Sequence, residues 1–449
     1  MKHTDLTPRI WAALVIFGLF GQVAWVIENM YFNVFLYNTV SKDSKAIAVM
    51  VAASAVTATL TTLLMGSLSD RLGKRKLFIV SGYLVWGVSI MSFALISVEN
   101  TQRLIPAASL ATAVAVTVAI VVIMDCVMTF FGSTANDAAF NAWVTDVTDP
   151  GNRGKAEGLL SALPLLAMLV VFGLFDPLKQ QGRWDAFFLI VGGLVFAGGL
   201  AGLFIIQDRG VKPGRDTNYF SNIIYGFRPR AIRENRALYL ILVAMGVFCT
   251  AEQVFLPYLI IYMEHYLGIA DYALLLGAVL ILASAASVIM GRFIDKYGKQ
   301  RFLYPAGAIF TAALLILYAT GKTLQGNSSA TMLTLGIFGT IMMAGNLVLM
   351  AILSAGMRDL IPEEKRGHYS GIRMIFFVLV PMVIGPFIGS AVIKGGKTIL
   401  DEFGFVQDVP NPEMFLAAAA VSLLAFIPYA LVMREWKRDA DGMEKTGDK

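Results

Sequence analysis

Gly66-Ser-Leu-Ser-Asp70-Arg71-Leu-Gly73-Lys74-Arg75-Lys76 closes one long apolar run, and Gly291-Arg-Phe-Ile-Asp295-Lys296-Tyr-Gly298-Lys299-Gln-Arg301 closes another 225 residues later. Two glycines, an aspartate and a set of bases return in the same order about half a chain apart. A second pair agrees: Asp146, Arg153-Gly154 and Gly158 return as Asp359, Arg366-Gly367 and Gly371, offset by 213. A third lies within apolar runs, where Glu28-Asn29 returns as Glu252-Gln253, offset by 224. Parallel repeats of this size describe two stacked halves of a membrane protein. The drop in offset places about a dozen extra residues in the third and fourth spans of the first half.

The rest of the chain supports that division. Of its 449 residues 57% are hydrophobic and 15% charged, where a soluble domain carries about 25% charged residues. Crossing a bilayer takes about 20 mostly apolar residues, and the sequence holds twelve such blocks. They are expected near 10–37, 45–68, 77–97, 107–145, 156–178 and 184–207. The second set is expected near 237–264, 272–291, 302–320, 330–357, 368–393 and 412–433. The fourth is too long for a straight crossing and is expected to project outside or to bend near Gly132. Ile10–Tyr37 is too long for a cleavable leader and lacks a small-residue cleavage site, so it is read as the first span. The expected organisation is an all-α membrane protein with an N-terminal six-helix bundle at 1–207 and a linker at 208–236. A C-terminal six-helix bundle at 237–433 and a tail at 434–449 complete it. The linker is polar and basic, with a short surface helix expected around Arg230–Arg236.

A net charge of +5 raises the question of nucleic acid, but the distribution answers it. With the amino terminus in the cytoplasm, cytoplasmic segments hold 27 of the 36 Lys and Arg, and the opposite segments eight. Arg373 lies within a span. The positive-inside rule expects this bias, so both termini are expected in the cytoplasm of a cell-membrane protein. No basic stripe interleaves with aromatics, and no nucleic-acid partner is expected. Cys126 and Cys249 fall inside spans and read as packing residues. His3, His265 and His368 have no metal-binding spacing, and no metal is expected.

The Gly66–Lys76 loop resembles the signature loop between spans two and three of the major facilitator superfamily, and Gly291–Arg301 its degenerate repeat. The resemblance covers the whole chain through the twelve-span pattern. It implies that Asp70 docks on the amino-terminal end of span eleven while Arg71 and Arg75 neutralise nearby acids, latching one conformation. Gly66 and Gly73, like Gly291 and Gly298, would permit close helix approach, and a carboxylate suits a helix amino terminus. Asp295 and Arg301 hold the matching places in the repeat. Asp146 with Arg153, and Asp359 with Arg366, resemble the acidic-then-basic loops after spans four and ten, whose ion pairs break as the halves rock. The resemblance also implies that spans one, four, seven and ten line a central cavity.

A carboxylate at a helix centre costs about 2.5–3.5 kcal/mol, so it needs a reason to be there. Glu28 lies roughly 13 Å from the outer end of its span at 1.5 Å per residue. Gln22, Trp25, Glu28, Asn29, Phe32 and Asn33 share an arc of roughly 140° on a helical wheel. Amides, an acid and aromatic faces on one stripe suit a polar, ring-shaped solute; the alternative is helix–helix hydrogen bonding. Glu252 and Gln253 are the counterparts in span seven. Span four adds Asn136, Asp137 and Asn141, with Asp125 nearer its outer end as an interfacial residue, and Asn346 stands in span ten. Arg373 either snorkels to the surface, pairs with a buried acid, or joins the Asp70 latch.

Gly321-Lys322-Thr323 is no phosphate loop, because Ile316 occupies the required first glycine position. No Gly-x-Ser-x-Gly elbow or zinc-helix motif suggests an enzyme. The expected function is secondary active transport of a small polar solute, a sugar or glycoside. It would be coupled to a proton or sodium ion, work as a monomer in the bilayer and need no cofactor. A faint likeness of Asn141…Asp146…Arg153 to loops of glycoside–cation and sucrose–proton symporters points the same way. Proton-coupled drug efflux is the alternative, although Pro164 lacks the glycine frame of the antiporter motif in span five and Gly385-Pro386-Phe-Ile-Gly389 lies in span eleven. A non-transporting receptor would instead have a collapsed or apolar cavity, whereas these spans keep acids and amides.

Overall fold

The computed structural model of the chain describes residues 6–149, 151–208, 228–324, 329–361, 372–401 and 403–447, with backbone alone for 231 and 437–447. Most of the 208–236 linker and Arg366 lie outside the described residues. Twelve helices are long and apolar enough to cross a membrane, and the protein is an all-α, twelve-helix membrane protein. In the first half they are α1 (Pro8–Thr39), α2 (Ser44–Leu72), α3 (Arg75–Leu95), α4 (Leu110–Val147), α5 (Arg153–Gln180) and α6 (Trp184–Ile205). In the second they are α7 (Arg236–Tyr266), α8 (Tyr272–Tyr297), α9 (Gln300–Thr323), α10 (Ser329–Leu360), α11 (Ile372–Ile393) and α12 (Glu413–Trp436). The chain divides into two compact units, Met1–Thr217 with Leu400–Gln407, and Asn218–Ile399 with Asp408–Lys449.

Local chemistry explains where the helices start and stop. Thr7 caps α1 ahead of Pro8 at its first position, where the missing N–H costs nothing. Asp43 accepts from Lys45 N at the start of α2, and Ser109 from Thr112 N at the start of α4. The two repeated motifs end α2 and α8 on glycines with positive φ, Gly73 at 62° and Gly298 at 86°. Their N–H groups bond Ser69 O and Ile294 O, a helix ending that a residue with a Cβ adopts at a cost.

Five spans are interrupted by a wider turn. The turns lie at Ile27–Tyr31 in α1, Ser133–Phe140 in α4, Val171–Phe175 in α5, Tyr262–Tyr266 in α7 and Ile375–Leu379 in α11. Such insertions bend a helix and often mark functional positions. The one in α4 begins directly after Gly132, where the bend is expected. The extra residues of the first half are not all in its spans: a separate seven-residue helix, Val98–Leu104, occupies the connection between α3 and α4. A two-stranded hairpin, β1 (Thr398–Leu400) with β2 (Val406–Asp408), joins α11 to α12. No hydropathy signal announces it; its turn is held by the Asp401 carboxylate, which accepts from Phe403 N at 3.0 Å and Phe405 N at 2.8 Å.

Close approach of α3 and α6 organises the first unit. A Cβ on Gly87 would stand 2.5 Å from Phe196 N and 2.6 Å from Gly192 O, and one on Gly192 2.6 Å from Gly87 O. Small residues let the two backbones touch, which is how apolar helices associate when lipid is as apolar as they are. Aromatic packing closes one end of the unit, with Phe32 against Phe93 at 4.3 Å and Phe35 against Phe188 at 4.9 Å. In the second unit Gly385 and Gly389 bring α11 onto α7, a Cβ at Gly389 standing 2.2 Å from Val254 O. Gly192→Leu should therefore destabilise the purified protein by about 1–3 kcal/mol through overpacking. Gly193→Leu, whose Cβ would meet nothing within 4 Å, should unfold at the parent temperature in the same detergent melt.

Candidate functional site

The wide turn Ile27–Tyr31 carries Glu28 and Asn29, and Phe32 N–H reaches back to Ile27 O across it. Glu28 is buried. Ser54 Oγ of α2 donates to its Oε1, Thr129 Oγ1 of α4 lies 2.8 Å from the same oxygen, and the two hydroxyls are 2.9 Å apart. Glu28 Oε2 is buried with no partner. Asp125, expected at the interface, is buried within the protein. It lies 15 residues past the start of α4, roughly 22 Å along the helix, and is only 2% exposed. Glu28 thus has Asp125 and Asp137 as acidic neighbours in the same unit. Asp125 Oδ1 is a second buried oxygen without a partner. Among the described residues no Lys or Arg forms an ion pair with Glu28, Asp125 or Asp137. Charge of one sign thus gathers in one unit.

The stripe on α1 splits. Gln22, Trp25 and Asn29 are half-buried, while Phe32 and Asn33 are sealed inside the unit. Asn29 and Asn33 donate their amides to Trp25 O and Asn29 O of their own helix, each at 2.8 Å, so they are not glue between helices. That task falls to Asn136, whose Nδ2 donates to Tyr83 O–H at 2.7 Å and to Phe17 O at 3.3 Å. Its Oδ1 accepts from Trp25 Nε1 at 3.4 Å. Gly21 makes room, since a Cβ there would stand 2.3 Å from Asn136 Nδ2. The next residue, Asp137, accepts from Ser133 Oγ at 3.0 Å, and the exposed Asn141 donates to Asp137 O at 3.1 Å.

At the basic end of the unit Arg75 does the work foreseen for several residues. Its guanidinium binds Asp70, Ser69 Oγ at 2.6 Å and Asp146 Oδ2 at 3.0 Å. This ties the Gly66–Lys76 loop to the end of α4. Arg71 is exposed and forms no ion pair among the described residues. Arg153 does not pair with Asp146; it donates to Thr148 Oγ1, Thr148 O and Thr145 O, capping the carbonyls at the carboxyl end of α4.

The second unit repeats the scheme with different residues. Lys299 pairs with Asp359, and its ammonium lies 5.4 Å from the Trp436 ring centre. Gln300 stands where Arg75 stands in the first half, so the base has moved by one position. Asp295 and Arg301 are exposed and form no ion pair among the described residues. Among the deeper groups, Glu252 of α7 lies beside Asn346 of α10, and Gln253 packs beneath Gly385. The Arg373 guanidinium lies 5.0 Å from the Phe377 ring centre. Arg373 and Glu252 both lie near Cys249, without an ion pair between them among the described residues. Neither Ser54, Thr129 nor Lys299 stands out in the sequence, since hydroxyls and single bases are common in and between spans.

The loop between α2 and α3 also offers a direct energetic check. The Arg75 side chain is 6% exposed and that of Asp146 27%, well short of the exposure at which an ion pair is worth little. A double-mutant cycle of Arg75→Ala and Asp146→Ala should give a coupling of about 0.5–3 kcal/mol in thermal unfolding. Arg71→Ala should stay within about 0.5 kcal/mol of the parent. Additivity of the first pair would dissolve the bridge.

Comparison with known proteins adds family and fold. The family model described as Major Facilitator Superfamily matches residues 10–268 and 241–447. A curated relative, Multidrug resistance protein 1 of Bacillus subtilis (strain 168), is 28% identical over 163 residues, 36% of either chain. The match thus spans about a third of that relative's length. Similar solved structures include the nucleoside transporter NupG, with a TM-score of 0.67 at 11% identity over 94% of this chain and 98% of that one. The xylose transporter XylE from E. coli gives 0.65 at 13% over 95% and 97%. A peptide transporter, POT, gives 0.69 at 13% over 97% and 96%. At such identities the likeness is one of fold.

Proposed function

Because the chain belongs to the Major Facilitator Superfamily, we propose that it is a secondary active transporter of a small polar solute, of the sugar or glycoside class. It works by alternating access coupled to a proton or a sodium ion. One observation carries the coupling: Glu28 has Asp125 and Asp137 as acidic neighbours inside one unit, and among the described residues no base is paired with any of the three. Like charges in a low-dielectric interior repel, and each is expensive without a counter-ion. Taking up and giving back a small cation relieves both costs, so solute movement can be driven by that cation's gradient. In the first unit the half-buried Gln22, Trp25 and Asn29 supply a polar and aromatic face for the solute; in the second, Glu252, Gln253 and Asn346 are the candidate polar groups. The Arg75 and Lys299 bridges hold loop ends that must release for the conformational cycle, which is the latch role proposed for Asp70, Asp146, Asp359 and their neighbours. We place the protein in the cell membrane as a monomer, both termini cytoplasmic, with no cofactor.

The second reading is proton-coupled efflux of drugs or metabolites, favoured by the match to Multidrug resistance protein 1. Labelled sugars offered to proteoliposomes under an imposed proton or sodium gradient separate the two. Sugar accumulation supports uptake, and its absence together with gradient-driven extrusion of a cationic dye supports efflux. In whichever assay the parent is active, Glu28→Gln should abolish concentrative transport and spare downhill exchange, because glutamine keeps the shape without the ionisable group. Undiminished concentration by Glu28→Gln removes Glu28 from the coupling role. Glu252→Gln should do less.

Orientation has its own test. In intact cells an impermeant label should reach a tag near Gly395 and miss tags after Arg209 and at the carboxyl terminus. Labelling of the last two would reverse the assignment.

A further inference from the structure

Glu28 Oε1, Ser54 Oγ and Thr129 Oγ1 form a closed triangle, each edge a hydrogen-bond contact no longer than 2.9 Å. The three residues come from α1, α2 and α4 and are 7%, 3% and 0% exposed. Counting hydrogens decides what the triangle holds. Each hydroxyl has one hydrogen to donate, and an ionised carboxylate has none. Two hydrogens fill two edges and leave the third as a bare oxygen–oxygen contact. One more hydrogen, on Glu28 Oε1, completes a ring. Ser54 then donates to Glu28, Thr129 to Ser54, and Glu28 to Thr129.

The surroundings agree. Glu28 Oε2 is buried without a partner, and so is Oδ1 of the neighbouring Asp125. In a neutral acid Oε2 is an unpaired carbonyl oxygen, whereas in a carboxylate it carries charge with no donor, which is far more costly. A metal cation is the competing occupant. Oxygens bound to an ion of calcium's size, which sodium matches, stand about 2.3–2.6 Å from it. Neighbouring ligands at right angles are then about 3.4 Å apart. Every edge of the triangle is shorter, so an ion would have to spread these oxygens apart, whereas hydrogens fit them as they stand.

We propose that Glu28, Ser54 and Thr129 form a proton-binding ring whose two hydroxyls select a proton over sodium. This rests on the cation-coupled reading above and names its ion. Ser54 and Thr129 act as positioning residues, setting the geometry in which Glu28 holds its proton.

Infrared spectroscopy of the full chain in lipid tests the ring without any solute. At neutral pH the parent should show the C=O stretch of a protonated carboxyl that disappears from Glu28→Gln. Thr129→Val should move that band to higher frequency because the carboxyl O–H loses its acceptor, Ser54→Ala should shift it as Oε1 loses a donor, and unfolding temperatures report that the variants are folded. Sodium chloride, against choline chloride at the same pH, should leave the band of the parent unchanged. A carboxylate spectrum for Glu28 at neutral pH, or loss of the protonated band on adding sodium, overturns the proposal. A ring that behaves as described in a protein that moves no solute would instead count against the transport reading.

Discussion

Hydrocarbon offers no hydrogen-bond partner, so every polar group carried into the membrane must be satisfied within the protein. This constraint orders the first unit. Asn136 links α4 to α1 and α3 through Tyr83, Phe17 O and Trp25, and Gly21 is small because that amide needs the space. Asn29 and Asn33 turn their amides onto carbonyls of their own helix, beside a turn wider than the regular spiral. What is left unsatisfied is then conspicuous. Glu28 Oε2 and Asp125 Oδ1 are carboxylate oxygens among the unpartnered buried atoms of this unit, and both belong to the acid cluster.

The two halves solve the same problems with different chemistry. At the loop ends an arginine bridges two aspartates in the first unit, while a lysine one position earlier in the repeat meets a single aspartate in the second. Arg75 can serve three acceptors because its guanidinium is a flat, multi-donor fork; an ammonium is a point charge. Deeper in, the first unit gathers three acids with no base paired to them among the described residues. The second sets Glu252 against an amide and brings Arg373 into the same neighbourhood. The repeat in the sequence has been kept while the buried charge of the two halves has diverged.

Much of the architecture was legible along the chain. Twelve apolar blocks, the glycine ends of α2 and α8, the bend after Gly132 and the burial of Glu28 all follow from local properties: hydropathy summed over a window, the φ that glycine tolerates, the cost of a charge in hydrocarbon. The partners did not follow. Asp125 looked interfacial because its depth depends on where α4 begins, and Val98–Leu104 takes up chain that seemed to belong to the spans. Arg153 looked like the mate of Asp146 until the α2–α3 loop folded back and gave that place to Arg75. Ser54 and Thr129 are ordinary residues for a membrane helix. Only the rotation of α2 and α4 about their own axes turns both hydroxyls onto one carboxyl oxygen, and hydropathy carries no record of that rotation. Sequence by itself determined which segments enter the membrane, because that is a sum over neighbours in the chain. Tertiary structure decided which polar atoms meet there, because that depends on angles and close approaches between helices far apart in sequence.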